Sequence, residues 1–167
     1  LRRLMYTASL PDKGCFVIRY PRGRGIYTEW KCPLETIEVG TGRKINDGED
    51  VAVLTLGPIG NDVQDVIATM DKKPAHYDMR FLKPLDENLL KEVAEKYKHI
   101  ITIEDGVRNG GMGTAVMEWL NDNGYTNISV KRMGIPDKFI EHGSIDELRA
   151  IIALDNDTIK KTICSYM

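Results

Sequence analysis

The most constraining feature of the sequence is the segment HIITIE at residues 99–104, which is almost continuously apolar. A strand that faces solvent on one side alternates polar and apolar residues, whereas a strand covered by helices on both faces does not. Apolar residues recur at helical spacing from Asp86 onward and again after Gly111, on either side of this segment. The segment therefore predicts a central strand of a parallel sheet in an α/β domain.

The rest of the chain continues the alternation of strands and helices. Further strands are predicted at 36–44, 51–57, 75–80 and 128–133, and further helices after Pro58, near 144–152 and near 156–166. The sequence Asn46-Asp47-Gly48 between the first two strands is a strong hairpin signal, so we expect those two strands to pair antiparallel. Ser144 and Asp155 are the expected caps of the last two helices. The prediction is a three-layer α/β fold with a mostly parallel, five-stranded sheet and one antiparallel strand.

The beginning of the chain has a different character. Residues 15–20 (CFVIRY) predict a short strand, and Leu1–Leu10 is expected to be the end of a helix that begins upstream. Residues 21–33 contain Pro and Gly and lack periodicity, which is typical of a linker. We therefore predict two parts, with residues 1–33 forming a domain tail and linker and residues 34–167 forming a compact domain.

Charge and cysteine content exclude several function classes. The net charge of -2 and the lack of a basic stripe argue against nucleic-acid binding. The apolar runs are far shorter than the ~20 residues that cross a bilayer, so no membrane association is expected. The three cysteines, Cys15, Cys32 and Cys164, have no metal-ligand spacing and indicate reduced thiols of a cytoplasmic protein.

Two arginines are candidates for anion binding. Arg19 ends the first predicted strand, and Arg80 ends the strand at 75–80, at the sheet edge where open α/β folds bind ligands. A guanidinium offers paired donors that match a phosphate. The alternative at both positions is a solvated surface arginine, and at Arg80 also a pairing with a helix.

The acidic pair Glu104-Asp105 is followed by the glycine-rich segment 109–113 (NGGMG). Such a segment permits a close approach of backbone, and a helix N-terminus favours anions. No P-loop lysine follows, so the better interpretation is a tight turn that packs a helix on the sheet. Acid–base chemistry by the two carboxylates is the weaker alternative.

The remaining polar candidates favour structural roles. No metal-ligand spacing is present among the histidines, His76, His99 and His142. For His142, the alternative interpretation is a contact with a partner domain. In the loop at 136–143 we expect Phe139 and Ile140 to cover the sheet edge.

Four motifs together resemble a single family. VIRYPRG (17–23), DMRFLKPLD (78–86), TIEDGVRNGGMGTAV (102–116) and MGIPDKFIEHG (133–143) occur in the order and spacing found in 1-deoxy-D-xylulose 5-phosphate synthases. The first motif resembles the end of the family's pyrimidine-binding middle domain. The others resemble its transketolase-like C-terminal domain. The resemblance thus assigns residues 1–33 to the former domain and residues 34–167 to the latter.

The resemblance implies a transferase that condenses pyruvate with D-glyceraldehyde 3-phosphate, with loss of CO2, to give a precursor of isoprenoids, thiamine and pyridoxal. It implies that the full-length enzyme binds thiamine diphosphate and Mg²⁺. It also implies that this enzyme is a homodimer in the cytoplasm. The catalytic, cofactor and metal ligands of the family lie upstream, so this chain alone is expected to bind no cofactor and to be inactive. By position, Arg19 and Arg80 match the family's two arginines for the aldehyde phosphate.

Two alternatives remain open at this stage. One is the C-terminal domain of another thiamine enzyme, such as a transketolase or a 2-oxo acid dehydrogenase β subunit, which would have the same fold. The other is a purely structural dimerisation domain that contacts no ligand. Arg80 is the discriminating residue, because a structural domain has no need of an arginine at the ligand-binding edge of the sheet.

Overall fold

The computed structural model describes residues 1–21, 25–26, 31 and 33–167. The chain divides into two compact units, Leu1–Val39 and Gly40–Met167. Part of the predicted linker at 21–33, including Cys32, lies outside the described residues. The assignment of residues 1–33 and 34–167 to two domains of a larger enzyme stays a prediction.

The first unit contains a short helix, α1 (Arg2–Ala8). Its buried Thr7 hydroxyl accepts a hydrogen bond from the Ile37 N–H at 2.9 Å, and Arg3 forms an ion pair with Glu35 at 2.8 Å. The predicted strand at 15–20 is wrong, because these residues form no strand. A strand requires a partner for its backbone groups, and within the described residues no strand pairs with this segment.

The second unit is built on a five-stranded sheet. Its strands are β1 (Arg43–Asn46), β2 (Val51–Leu56), β3 (Ala75–Asp78), β4 (His99–Val107) and β5 (Ser129–Ile135). Their spatial order is β1-β3-β2-β4-β5. Only the β1–β3 pair is antiparallel; the other three pairs are parallel. The predicted mixed sheet is therefore confirmed.

The predicted hairpin between the first two strands is wrong, since β3 lies between β1 and β2. The connecting loop is bound to the residues that precede β3: Asn46 Nδ2 donates to the Pro74 carbonyl at 2.8 Å. Gly48 approaches the same backbone so closely that an added Cβ would lie 2.2 Å from the Ala75 nitrogen. The glycine thus serves a close backbone approach rather than a two-residue turn.

Five helices complete the second unit. They are α2 (Ile59–Ala68), α3 (Glu87–Lys96), α4 (Met112–Asp122), α5 (Ile145–Ile151) and α6 (Asn156–Cys164). The predicted caps are confirmed: Ser144 forms a capping box with Glu147, and the Asp155 carboxylate accepts from the Thr158 N–H at 2.9 Å. Within the described residues, no helix has both the length and the apolar character needed to cross a bilayer.

The sheet carries a hydrophobic layer on each face. On one face Val53, Ile101 and Ile103 belong to a buried cluster that also includes residues of α2 and α6. On the other face Leu54 and Ile100 belong to a cluster with residues of α3 and α4. This arrangement confirms the three-layer α/β fold, and it explains why the strand HIITIE has no polar alternation.

Candidate functional site

The four parallel strands β2 to β5 all end at one side of the sheet, which we call the carboxyl edge. Because β1 runs antiparallel to β3, its first residue, Arg43, lies at this edge opposite Asp78. Arg80 follows the end of β3 by two residues. The structure therefore places the predicted candidate Arg80 where open α/β folds bind ligands.

The side chain of Arg80 is fixed by the segment that leads into β1. Its Nε donates to the Thr41 carbonyl at 2.8 Å, and its Nη2 donates to Thr41 Oγ1 at 2.8 Å and to the Gly42 carbonyl at 2.9 Å. These bonds use three of the five N–H groups of a guanidinium. In the part of the chain that the structure describes, the two N–H groups of Nη1 are the ones left to bind an anion.

The backbone of Arg80 is held in an uncommon conformation. Its φ of 54° lies in the left-handed region, which costs energy for a residue other than glycine. Asp78 supports this conformation, because its Oδ1 accepts the Arg80 N–H at 3.1 Å. The other oxygen, Oδ2, accepts from Arg43 Nε and Nη2, both at 3.0 Å. Asp78 thus connects two arginines at the carboxyl edge.

The environment of Arg80 favours an anion. Burial, and next the positive charge of Arg43, lower the pKa of the Arg80 guanidinium. A bound anion would compensate both effects, because it returns an opposite charge to a partly desolvated cation. The arrangement can therefore bind a phosphate or a carboxylate through charge-assisted hydrogen bonds.

The second predicted arginine, Arg19, lies in the other unit. It is exposed in an irregular segment instead of ending a strand. The expectation that Arg19 and Arg80 bind the same phosphate stays a prediction.

The glycine-rich segment after β4 has a structural role, as predicted. The Glu104 side chain is 4% exposed, and its two carboxylate oxygens accept the Met112 N–H at 2.8 Å and the Gly113 N–H at 2.9 Å. A Cβ on Gly111 would lie 2.4 Å from the Val107 backbone oxygen and 2.3 Å from Glu104 Oε2, so glycine is required there. The anion that the N-terminus of α4 favours is therefore supplied by the protein itself.

His76 is a polar core residue whose environment the sequence did not reveal. It is 1% exposed, and its Nε2 lies 2.9 Å from Thr55 Oγ1. Burial lowers the pKa of His76 to about 4, so the ring is neutral at pH 7. The signal available in the sequence was a lone histidine inside an apolar strand, which indicates burial but not a partner.

Stability should depend on pH through His76. Its pKa of about 4 in the folded chain is lower than the ordinary value of 6.5. Between these values the unfolded chain binds a proton that the folded chain does not, so stability is lost as the pH falls. We expect the free energy of unfolding to decrease by about 2 kcal/mol from pH 7 to pH 5 because of this residue. Urea unfolding at both pH values should show a smaller decrease in a His76→Phe variant, and an equal decrease would contradict the prediction.

One prediction about the loop at 136–143 is wrong. Phe139 does not cover the sheet edge, since it is 92% exposed. Ile140 is partly buried and His142 is exposed. The strand β5 is the edge strand on this side of the sheet and pairs with β4.

Thiol and metal chemistry find little support in the described residues. Cys15 and Cys164 are free and exposed. Among the residues that the structure describes, no three His, Cys, Asp or Glu side chains are grouped so that they could hold a metal ion. The candidate site is the arrangement of Arg80, Asp78 and Arg43 at the carboxyl edge.

Comparison with known proteins agrees with the resemblance seen in the sequence. Residues 40–159 match the family described as Transketolase, C-terminal domain. Over 98% of its length the chain is 57% identical to the 1-deoxy-D-xylulose-5-phosphate synthase of Bacteroides thetaiotaomicron, and over 98% it is 50% identical to that of Cytophaga hutchinsonii. In both cases it covers 26% of the relative, so the chain spans about a quarter of their length. The predicted resemblance is confirmed.

Solved structures agree at the level of the fold. A chain described as a split-gene transketolase, an inactive beta4 tetramer, superposes with a TM-score of 0.70 at 26% identity, covering 81% of this chain and 44% of that one. Transketolase from Campylobacter jejuni has a TM-score of 0.54 at 12% identity, covering 75% of this chain and 18% of that one. The second likeness concerns the fold alone.

Proposed function

Because the chain belongs to the transketolase C-terminal domain family, we propose that it is the C-terminal part of a 1-deoxy-D-xylulose 5-phosphate synthase. Its similarity to relatives of that name extends over nearly its whole length. The proposed reaction joins pyruvate to D-glyceraldehyde 3-phosphate with loss of CO2, in a cytoplasmic homodimer. Thiamine diphosphate, when bound with Mg²⁺, supplies the carbanion chemistry.

Arg80 is the residue that supports this proposal most. Its guanidinium is fixed at the carboxyl edge by Thr41 and Gly42, with the Nη1 side left for an anion. We assign it to the phosphate of the aldehyde substrate, together with Arg19. A phosphate held by two guanidinium groups fixes one end of the substrate, which positions the aldehyde carbon for attack.

The metal and the cofactor diphosphate are not assigned to residues of this chain. The described residues do not fit Mg²⁺, since no suitable group of side chains is present among them. We propose that these ligands belong to the remainder of the enzyme. This chain matches only 26% of the length of its relatives, so most of their sequence lies outside the matched region. What this chain contributes is substrate binding and orientation.

One observation favours a structural role instead. The three bonds of Arg80 to Thr41 and Gly42 would also serve to hold the start of β1 against the end of β3. In that case the arginine would stabilise the domain and touch no substrate. A comparison of D-glyceraldehyde 3-phosphate with unphosphorylated D-glyceraldehyde as the acceptor separates the two roles.

The proposal predicts that the 167-residue chain alone does not bind the cofactor. Calorimetric titration with thiamine diphosphate and Mg²⁺ should detect no micromolar affinity, because the proposed ligands are outside the chain. Joined to the upstream part of its own gene product, the same chain should complete a synthase that binds the cofactor and consumes both substrates. Micromolar binding by the isolated chain, or an inactive complete protein that still binds the cofactor, would contradict the proposal.

A further inference from the structure

Asp78 holds the backbone of Arg80 as well as the side chain of Arg43. Its Oδ1 accepts the Arg80 N–H at 3.1 Å, and its Oδ2 accepts from Arg43 Nε and Nη2, both at 3.0 Å. An aspartate or asparagine side chain has the right length to accept the N–H two residues further along the chain. The two oxygens therefore have separate tasks, of which only the first involves Arg80.

The backbone conformation of Arg80 decides where its guanidinium lies. Its φ of 54° is in the left-handed region, which is unfavourable for arginine. A negative φ would send the side chain away in another direction, so the bonds of the guanidinium to Thr41 and Gly42 depend on this conformation. The bond from Asp78 offsets part of the cost, and it thereby favours the conformation in which Nη1 is left for an anion.

The acceptor that Gly42 offers to Arg80 is fixed separately, through Asp86. Gly42, whose carbonyl accepts from Arg80 Nη2, donates its own N–H to Asp86 Oδ2 at 2.8 Å. The other oxygen of Asp86 accepts the Leu89 N–H at 2.9 Å and so caps α3. This acceptor is thus tied to a helix by bonds that do not involve Asp78. Whether Arg80 reaches it then depends on the backbone that Asp78 holds.

From these contacts we propose that Asp78 is a positioning residue for the phosphate of the acceptor substrate. Its Oδ1 keeps Arg80 in the conformation that presents Nη1, while Asp78 itself touches no substrate. The inference rests on the proposed function, because the phosphate preference in question is the one assigned to Arg80. It goes further in making that preference depend on one backbone hydrogen bond and not on the charge of the carboxylate.

The test is the phosphate preference of the complete synthase, defined as kcat/KM for D-glyceraldehyde 3-phosphate divided by kcat/KM for D-glyceraldehyde. Asp78→Glu keeps the charge that pairs with Arg43, but its longer side chain does not suit the bond to the Arg80 N–H. We expect it to lower the preference about three- to tenfold. Asp78→Asn loses the charge but keeps an oxygen for that bond, so its preference should stay within about twofold of wild type.

Two further variants show whether the effect passes through Arg80. In an Arg80→Ala background, Asp78→Glu should not lower the preference further, because the residue that it positions is already gone. Asp155→Glu is a matched control in the wild-type background. The Asp155 carboxylate also accepts a backbone N–H, that of Thr158 at 2.9 Å, but it does so at the start of α6. This control should leave the phosphate preference unchanged.

The outcomes for Asp78 and for Arg80 can be told apart. An unchanged preference in Asp78→Glu, an equal loss in Asp78→Asn, or a further loss in the Arg80→Ala background would each overturn the role of Asp78, while the phosphate assignment of Arg80 would stand. If Arg80→Ala alone keeps the full preference, the phosphate assignment fails, and the role of Asp78 fails with it.

Discussion

Replacing Glu104 with alanine is expected to lower the free energy of unfolding of the second unit by about 3–5 kcal/mol. The carboxylate accepts two buried N–H groups at the start of α4, from Met112 and Gly113. Alanine would leave both donors without a partner and would open a cavity beneath the glycine-rich turn. Each charge-assisted bond of this kind contributes more than a neutral one.

Two companion variants show whether the carboxylate itself is responsible. Glu104→Gln keeps one acceptor oxygen but turns an amide donor toward the second N–H, so it should lose about half as much stability. Asp105→Ala changes the neighbouring carboxylate, which is only partly buried, and should cost less than about 1 kcal/mol. Urea unfolding followed by circular dichroism measures all three. A loss below about 1 kcal/mol for Glu104→Ala would show that the turn does not depend on this residue.

At Glu104 the sequence predicted the neighbouring turn but not the carboxylate that stabilises it. The glycine-rich segment 109–113 predicted a tight turn, and that prediction is confirmed. The partner of the turn was not predicted, although a glutamate at the end of a continuous apolar strand is a signal in itself. A buried carboxylate must have hydrogen-bond donors close by, and the nearest ones in the chain are the free N–H groups of the following helix.

The fold was predictable where the deciding interactions are local. Helical periodicity and the caps Ser144 and Asp155 depend on residues a few positions apart, and these predictions are confirmed. The hairpin failed because strand pairing is decided by contacts distant in sequence. The loop after β1 is held by Pro74, which lies beyond β2 and α2. The strand at 15–20 failed for the same reason, since a strand exists only with a partner.

At the carboxyl edge, the sequence predicted the position of Arg80 but not its neighbours. The strand-end position of the arginine followed from the alternation of elements. Its bonds to Thr41 and Gly42 and the ion pair of Asp78 with Arg43 depend on β1 lying beside β3, which the wrong hairpin had excluded. The polar partner of His76, Thr55, was missed because β2 and β3 are also separated by a helix.

In the complete synthase, Arg80→Ala is expected to decrease kcat/KM for D-glyceraldehyde 3-phosphate by about ten- to a hundredfold. A charge-assisted bond to the phosphate is lost, and the substrate loses the fixed end that orients it. Arg19→Ala should have an effect of the same size. Lysine at either position should restore only part of the activity, since it keeps the charge without the planar pair of donors. Binding of thiamine diphosphate and pyruvate should stay nearly unchanged.

The decisive control is the acceptor without its phosphate. Wild type and variants should use D-glyceraldehyde almost equally well, because the proposed contact is with the phosphate alone. Arg132→Ala is a matched variant: Arg132 also donates to a backbone carbonyl and a threonine hydroxyl, those of Arg108 and Thr114, but it lies on β5. It should lose no preference for the phosphorylated acceptor. If Arg80→Ala impairs both acceptors to the same extent, the arginine holds the start of β1 in place and the phosphate assignment is wrong.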